Sequence, residues 1–109
     1  MQLMDMKRAQ KLMKQKGIDV LVANTGDNVC YASGYFDKMA DWLPVMAIVP
    51  ADLSLAPGMV VNKYIEVQAK QRANIKDVRP YRIWMPIVEA EEIVKGTVKI
   101  DKDKPVQLE

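Results

Sequence analysis

Histidine is absent from this 109-residue chain, and that absence excludes more chemistry than any residue present implies. Without imidazole there is no Ser-His or Cys-His nucleophile pair and no side chain that ordinarily titrates near neutrality, and most metal centres lose their commonest ligand. Cysteine is almost as scarce. Cys30 stands alone, so no disulfide can form within the chain, and the sequence fits a reducing, cytoplasmic compartment. Charge of one sign is not in excess either. Sixteen basic against fourteen acidic side chains leave a net charge of +2, far from the field that competes for a phosphate backbone, and no nucleic-acid partner is expected. Long apolar runs are missing: the stretch from Leu43 to Val49 is too short to cross a bilayer and contains Pro44, so no membrane partner is expected. The N-terminus mixes Asp5 with Lys7, Arg8 and Lys11 and does not read as a secretory signal. The five glycines are isolated and form no phosphate-cradling loop, and no G-x-S-x-G elbow surrounds Ser33 or Ser54.

What remains is an ordinary globular composition, 50% apolar and 28% charged, of a length that makes one domain. Residues 2 to 16 predict an amphipathic helix, with Leu3, Met6, Ala9 or Gln10, Leu12 and Met13 at helical spacing and lysines and Arg8 on a solvated face. Gly17 closes it, since glycine readily takes the left-handed conformation of a helix C-terminus. Val20 to Ala23 read as a strand covered on both faces. A short helix through Val29, Tyr31 and Ala32 follows, capped by Asn24 or Thr25 and ended by Gly34. Val45 to Val49 and Met59 to Val61 predict two more strands, pairing as a hairpin.

A further helix runs from Tyr64, with Tyr64, Ile65, Val67 or Gln68, and Ala69 inward and Glu66, Lys70 and Arg72 outward. Lys76 to Ile83 predict a fourth strand, placed at a sheet edge by Pro80. Glu89 to Val94 suggest a short helix stopped by Gly96, and Thr97 to Ile100 a strand. Together these give a three-layer α/β domain with a mixed sheet between helices. Leu108-Glu109 match a dipeptide that an expression vector leaves before a purification tag, so the domain is read as residues 1–107 of a longer protein.

Candidate chemistry is sparse. Cys30 reads better as a small buried hydrophobe than as a nucleophile. The scattered aspartates match no calcium loop, and Glu89, Glu91 and Glu92 read as the acidic first turn of a helix. The connection from Tyr35 to Trp42 is different. It crowds aromatic and charged residues into a segment with no apolar period, and either a structural plug or a binding loop accounts for it.

Two stretches carry a family resemblance. Lys11-Leu12-Met13 through Gly17-Ile18-Asp19-Val20-Leu21-Val22 resembles the opening of the creatinase, prolidase and aminopeptidase P N-terminal domain. Asn28-Val29-Cys30-Tyr31-Ala32-Ser33-Gly34-Tyr35 is similar to that family's Asn-hydrophobic-x-Tyr-Leu-[Thr/Ser]-Gly-[Phe/Tyr] pattern, with Ala32 where leucine is preferred and Cys30 where arginine is common. The resemblance marks Gly17, Asp19, Asn28, Tyr31, Ser33, Gly34 and Tyr35 as structural positions. It implies a ribonuclease-H-like α/β domain, itself without a catalytic centre or metal, that precedes a separate catalytic domain of a hydrolase. There, two divalent ions (Mn, Co or Zn) would be held by two aspartates, a histidine and two glutamates in the peptidases. It further implies assembly, most simply a homodimer, and a loop that shapes a neighbouring subunit's active site, here Phe36, Asp37, Lys38, Asp41 and Trp42. The competing reading is a stand-alone α/β module that binds a small molecule or protein in a pocket near Asn24-Thr25 and Pro50.

Overall fold

A computed structural model describes residues 3–36, 43–81, 87–98 and 100. The first helix, α1, spans Met6–Lys16, four residues shorter at its start than the sequence predicts. Asp5 sets that start: its side chain accepts the Arg8 amide at 3.1 Å, so Asp5 is the cap and the residues before it stay outside the helix. At the other end Gly17 lies at φ 71°, and the Ile18 N–H donates to the Met13 carbonyl at 2.8 Å while the Gly17 N–H donates to Lys14. This double return of hydrogen bonds needs a left-handed residue at position 17. On α1 it is Leu12 that departs from expectation. Gln10 and Met13 are buried whereas Leu12 is exposed, and the Gln10 side-chain amide donates to the Pro50 carbonyl at 2.9 Å. A polar group thus enters the interior with its partner supplied.

Strand β1 (Val20–Ala23) leads into α2 (Gly26–Ser33), then β2 (Met46–Pro50), β3 (Gly58–Val61), a single 3₁₀ turn (Lys63–Ile65), α3 (Glu66–Arg72), β4 (Asp77–Pro80) and α4 (Ile87–Ile93). The predicted order of elements holds from α1 to β4. The strands lie in the order β1-β2-β3-β4, with β1–β2 and β2–β3 antiparallel and β3–β4 parallel. The hairpin is therefore real and the sheet mixed. Val20 faces Pro50 across the first pair, Met46 faces Val60 across the second, and Met59 faces Val78 across the third.

Side chains alternate along each strand, so the sheet feeds two cores. Leu21, Ala23, Ala47, Val49, Met59, Val61 and Val78 join residues of α1, α2 and α3 on one side. Val20, Val22, Met46, Ile48 and Val60 join Ala90 and Ile93 of α4, and Val94 just after it, on the other. The result is three layers. On α3 the expected inward face is only partly inward: Ala69 is buried, but Tyr64 is 88% exposed and Val67 also faces solvent. The 3₁₀ turn before α3 is the reason, because Asn62 caps it through the Tyr64 amide and shifts the angular position of the residues that follow.

The tail holds a second correction. Thr97 and Val98 form a bend and Ile100 belongs to no regular element, where a strand was expected; Lys99 lies outside the described residues. Lys95 and Gly96 both take positive φ (57° and 68°), and the Thr97 hydroxyl donates to the Val94 carbonyl at 2.6 Å, which folds the chain back onto α4. Glu89 is in the first turn of α4 as expected, but buried; Glu91 and Glu92 lie in its last turns.

Gly58 permits the close approach of α4 to the sheet. A Cβ built there would lie 2.6 Å from Ile93 Cδ1 and 3.2 Å from Ile93 Cγ2, so a rotamer change alone would not clear it. Gly58→Ala is expected to destabilise the domain by about 1–3 kcal/mol. Urea denaturation followed by far-UV circular dichroism measures this, and an unchanged midpoint would contradict the packing described.

Candidate functional site

The connection leaving α2 is anchored before it begins. Thr25, not Asn24, caps α2, its hydroxyl accepting the Asn28 amide at 3.3 Å. At the far end Ser33 is fully buried and forms a node of hydrogen bonds. Its hydroxyl donates to the Val29 carbonyl at 2.6 Å and accepts the Tyr35 amide at 3.2 Å, while its carbonyl accepts the Asn74 amide at 2.6 Å. The last contact ties α2 to the segment between α3 and β4. Gly34 turns the chain at φ 76°, and its N–H donates to the Cys30 carbonyl at 2.7 Å. Tyr35 then enters the core beside Val29 and Ala32. The residues expected to be structural in this stretch are thus placed as turn, cap and anchor, with Asn28 supplying a capped amide and Tyr31 exposed on the outer surface.

Beyond that anchor, Phe36 is 54% exposed. Asp37, Lys38, Asp41 and Trp42 lie outside the described residues. The chain is fixed again at Val45, which is 1% exposed, just before β2. The connection therefore runs between two buried anchors, Tyr35 and Val45. Cys30 is partly buried on α2.

Gly17 and Asp19 stand at the opposite end of β1 from α2. Gly17 ends α1, and the Asp19 carbonyl accepts the Ala51 amide at 2.9 Å, extending the β1–β2 ladder by one step. Their neighbourhood contains a cleft of about 650 Å³ whose walls include Lys14, Asp19, Pro50, Asp52, Leu55 and Val98. Sequence reading placed a pocket near Pro50, and the cleft is there. Asn24 and Thr25 do not line it. Because β1 and β2 are antiparallel, their C-terminal ends lie at opposite ends of the sheet. The Ser54 hydroxyl and amide both donate to the Asp52 carboxylate, at 2.7 and 2.9 Å, and hold its carboxyl below the usual value for aspartate. Asp52 was missed from sequence, although Asp-x-Ser is a recognisable side-chain turn.

Among the described residues no three His, Cys, Asp or Glu side chains gather closely enough to hold a metal ion. The two ions that the resemblance implies thus do not fit this part of the chain. No described helix is long and apolar enough to cross a membrane.

A mixed sheet between a three-helix layer and a single helix, with a twice-anchored connection after α2, defines a three-layer α/β domain. The chain belongs to the creatinase/prolidase N-terminal domain family, whose model matches residues 6–104. Solved structures agree on the fold. A Streptococcus pyogenes Xaa-Pro aminopeptidase aligns with a TM-score of 0.65 at 15% identity, over 84% of this chain and 63% of the other. The creatinase/prolidase N-terminal domain of an X-Pro dipeptidase from Streptococcus pyogenes aligns at 0.63 and 19% identity, over 85% and 66%. A prolidase from Pyrococcus furiosus aligns at 0.62 and 23% identity, over 84% of this chain but 25% of its own. The chain thus spans less than two-thirds of the first of these proteins and a quarter of the last. No curated protein matches it in sequence.

Ser33→Ala removes the acceptor of a buried amide and is expected to cost about 1–3 kcal/mol. Faster hydrogen exchange at Tyr35, together with a lowered denaturation midpoint, checks it.

Proposed function

We propose that this domain is the non-catalytic N-terminal part of a metal-dependent Xaa-Pro peptidase, of the prolidase or aminopeptidase P type, or of a creatinase-like hydrolase. Its role in that protein is to drive subunit assembly and to present Phe36, Asp37, Lys38, Asp41 and Trp42 to a neighbouring subunit's reaction centre. The observation that carries the reading is membership of the creatinase/prolidase N-terminal family over residues 6–104. The names of the matched structures support the peptidase branch, since they are an aminopeptidase, a dipeptidase and a prolidase acting on Xaa-Pro substrates or named for proline. The catalytic partner, with its two divalent ions, lies in a separate domain, and the lone cysteine is compatible with a cytoplasmic setting.

Anchoring at Ser33 and Val45 suits a loop of this kind. Holding both ends in the core limits how many conformations the intervening residues lose when they meet another subunit, which is the part of binding that preorganisation improves. Exposed apolar side chains at Phe36, Tyr31, Tyr64 and Val67 offer contact area for assembly.

Two measurements test this. Sedimentation equilibrium of the 109-residue chain is expected to show concentration-dependent self-association without stoichiometric uptake of manganese, cobalt or zinc. In the full-length protein, Phe36→Ala and Trp42→Ala are expected to lower kcat/KM for an Xaa-Pro peptide about tenfold or more at unchanged metal content, by loss of substrate positioning. A strictly monomeric chain together with unaltered kinetics would overturn the proposal.

A further inference from the structure

Helix α1 is electrostatically unlike the rest of the chain. Its eleven residues carry five cations, Lys7, Arg8, Lys11, Lys14 and Lys16, and no carboxylate. The other 98 residues then hold 11 basic and 14 acidic side chains, a net charge of −3. The near-neutral total therefore hides a polarised molecule. All five cations are exposed, and the ion pairs among the described residues involve Lys70 and Arg79 but none of these five. Asp5, at the start of the helix, is engaged as its cap, accepting a backbone amide.

Two further features mark this surface. Leu12 is exposed in the middle of the helix, 42%, and Leu3 is exposed in the segment before it, 47%. Lys7, Lys11 and Lys14 form one stripe of the helix and Arg8 and Leu12 the next, while Gln10 and Met13 are consumed by the core. The apolar face of α1 is therefore unavailable for insertion into anything, and what the helix offers a partner is cations with Leu12 among them.

We propose that the outer surface of α1 adsorbs to an anionic phospholipid bilayer, as a peripheral electrostatic contact on the cytoplasmic leaflet. Four of the five cations are lysines, hydrated point charges on flexible stems that suit a fluid array of headgroups. A stereospecific acidic protein site would favour the planar fork of arginine. The five charges spread around the exposed arc of the helix without an intervening carboxylate, and the leucines can settle at headgroup depth. Absence of a spanning segment has no bearing on this, because adsorption needs none. Each cation of a basic cluster near such a leaflet adds to the attraction, which falls off within a Debye length.

The test uses the 109-residue chain with extruded vesicles of about 30 mol% phosphatidylserine in phosphatidylcholine, a strongly anionic surface of the kind such clusters meet. Pure phosphatidylcholine vesicles and duplex DNA serve as comparisons. Co-sedimentation at low salt is expected with the anionic vesicles only, and is expected to disappear at several times physiological ionic strength. Lys7→Glu/Arg8→Glu/Lys11→Glu leaves Lys14 untouched, which acts on the Asp52 carboxyl. It is expected to weaken partitioning by at least about a hundredfold. Acidic residues suit the first turn of a helix, where positions 7 and 8 lie, and Lys11 is exposed, so an unchanged circular dichroism spectrum is expected of that variant. Leu12→Ser is expected to weaken partitioning without changing its salt dependence. No binding to the anionic vesicles, binding indifferent to the triple reversal, or binding to duplex DNA as tight as to vesicles would each overturn the proposal.

Discussion

Coverage of the sheet on both faces is the constraint from which the rest of the architecture follows. Four short strands of four or five residues expose little surface each, and their alternate side chains divide between two apolar layers. Neither layer could be left to water, since residues such as Ile48, Met59 and Val60 are completely buried. Helices must therefore sit on both sides. Three fit on one face because the β1–α2–β2 and β3–α3–β4 connections return there along with α1. The other face is left to the C-terminal segment, and α4 reaches it only by pressing Ile93 against the backbone at Gly58.

That division also sets the course of the connection after α2. It leaves the three-helix layer at Ser33, whose buried carbonyl fastens α2 to Asn74 in the segment between α3 and β4, and it re-enters the sheet at Val45. The cleft at Lys14 and Asp52 lies by the other end of β1, beside the Gly17 turn. The described residues at the two ends of the loop, Phe36 and Leu43, do not line the cleft.

Much of this was legible in the sequence wherever one local signal decided the outcome. Gly17 and Gly34 end helices because each must take a left-handed conformation, and the uninterrupted apolar runs Val20–Ala23 and Val45–Val49 admit little besides buried strands. The failures have a common physical origin. Leu12 turns outward while Gln10 takes the inward position through a hydrogen bond to Pro50, forty residues away, which no local pattern contains. Tyr64 and Val67 turn outward because a 3₁₀ turn, with three residues per turn, resets the register of the helix after it. Thr97 bends away because two consecutive left-handed residues precede it, one of them a lysine that sequence gives no reason to place there. The role of Ser33 as a triple hydrogen-bond node depends on Asn74 and emerges only in three dimensions.

Pro80 has a consequence for solubility. In the parallel β3–β4 pair the Tyr81 N–H points inward, to the Val61 carbonyl at 3.0 Å. Successive amides alternate direction, so the nitrogen of Pro80 faces the open margin of the sheet, where a foreign strand would look for a donor and find none. One residue earlier, the Arg79 guanidinium is clasped by Asp77 at 2.9 Å and approaches Glu92, placing formal charge along the same margin. Strand-to-strand stacking into fibrils is thereby discouraged on that side, and this border of the sheet stays closed to a foreign strand.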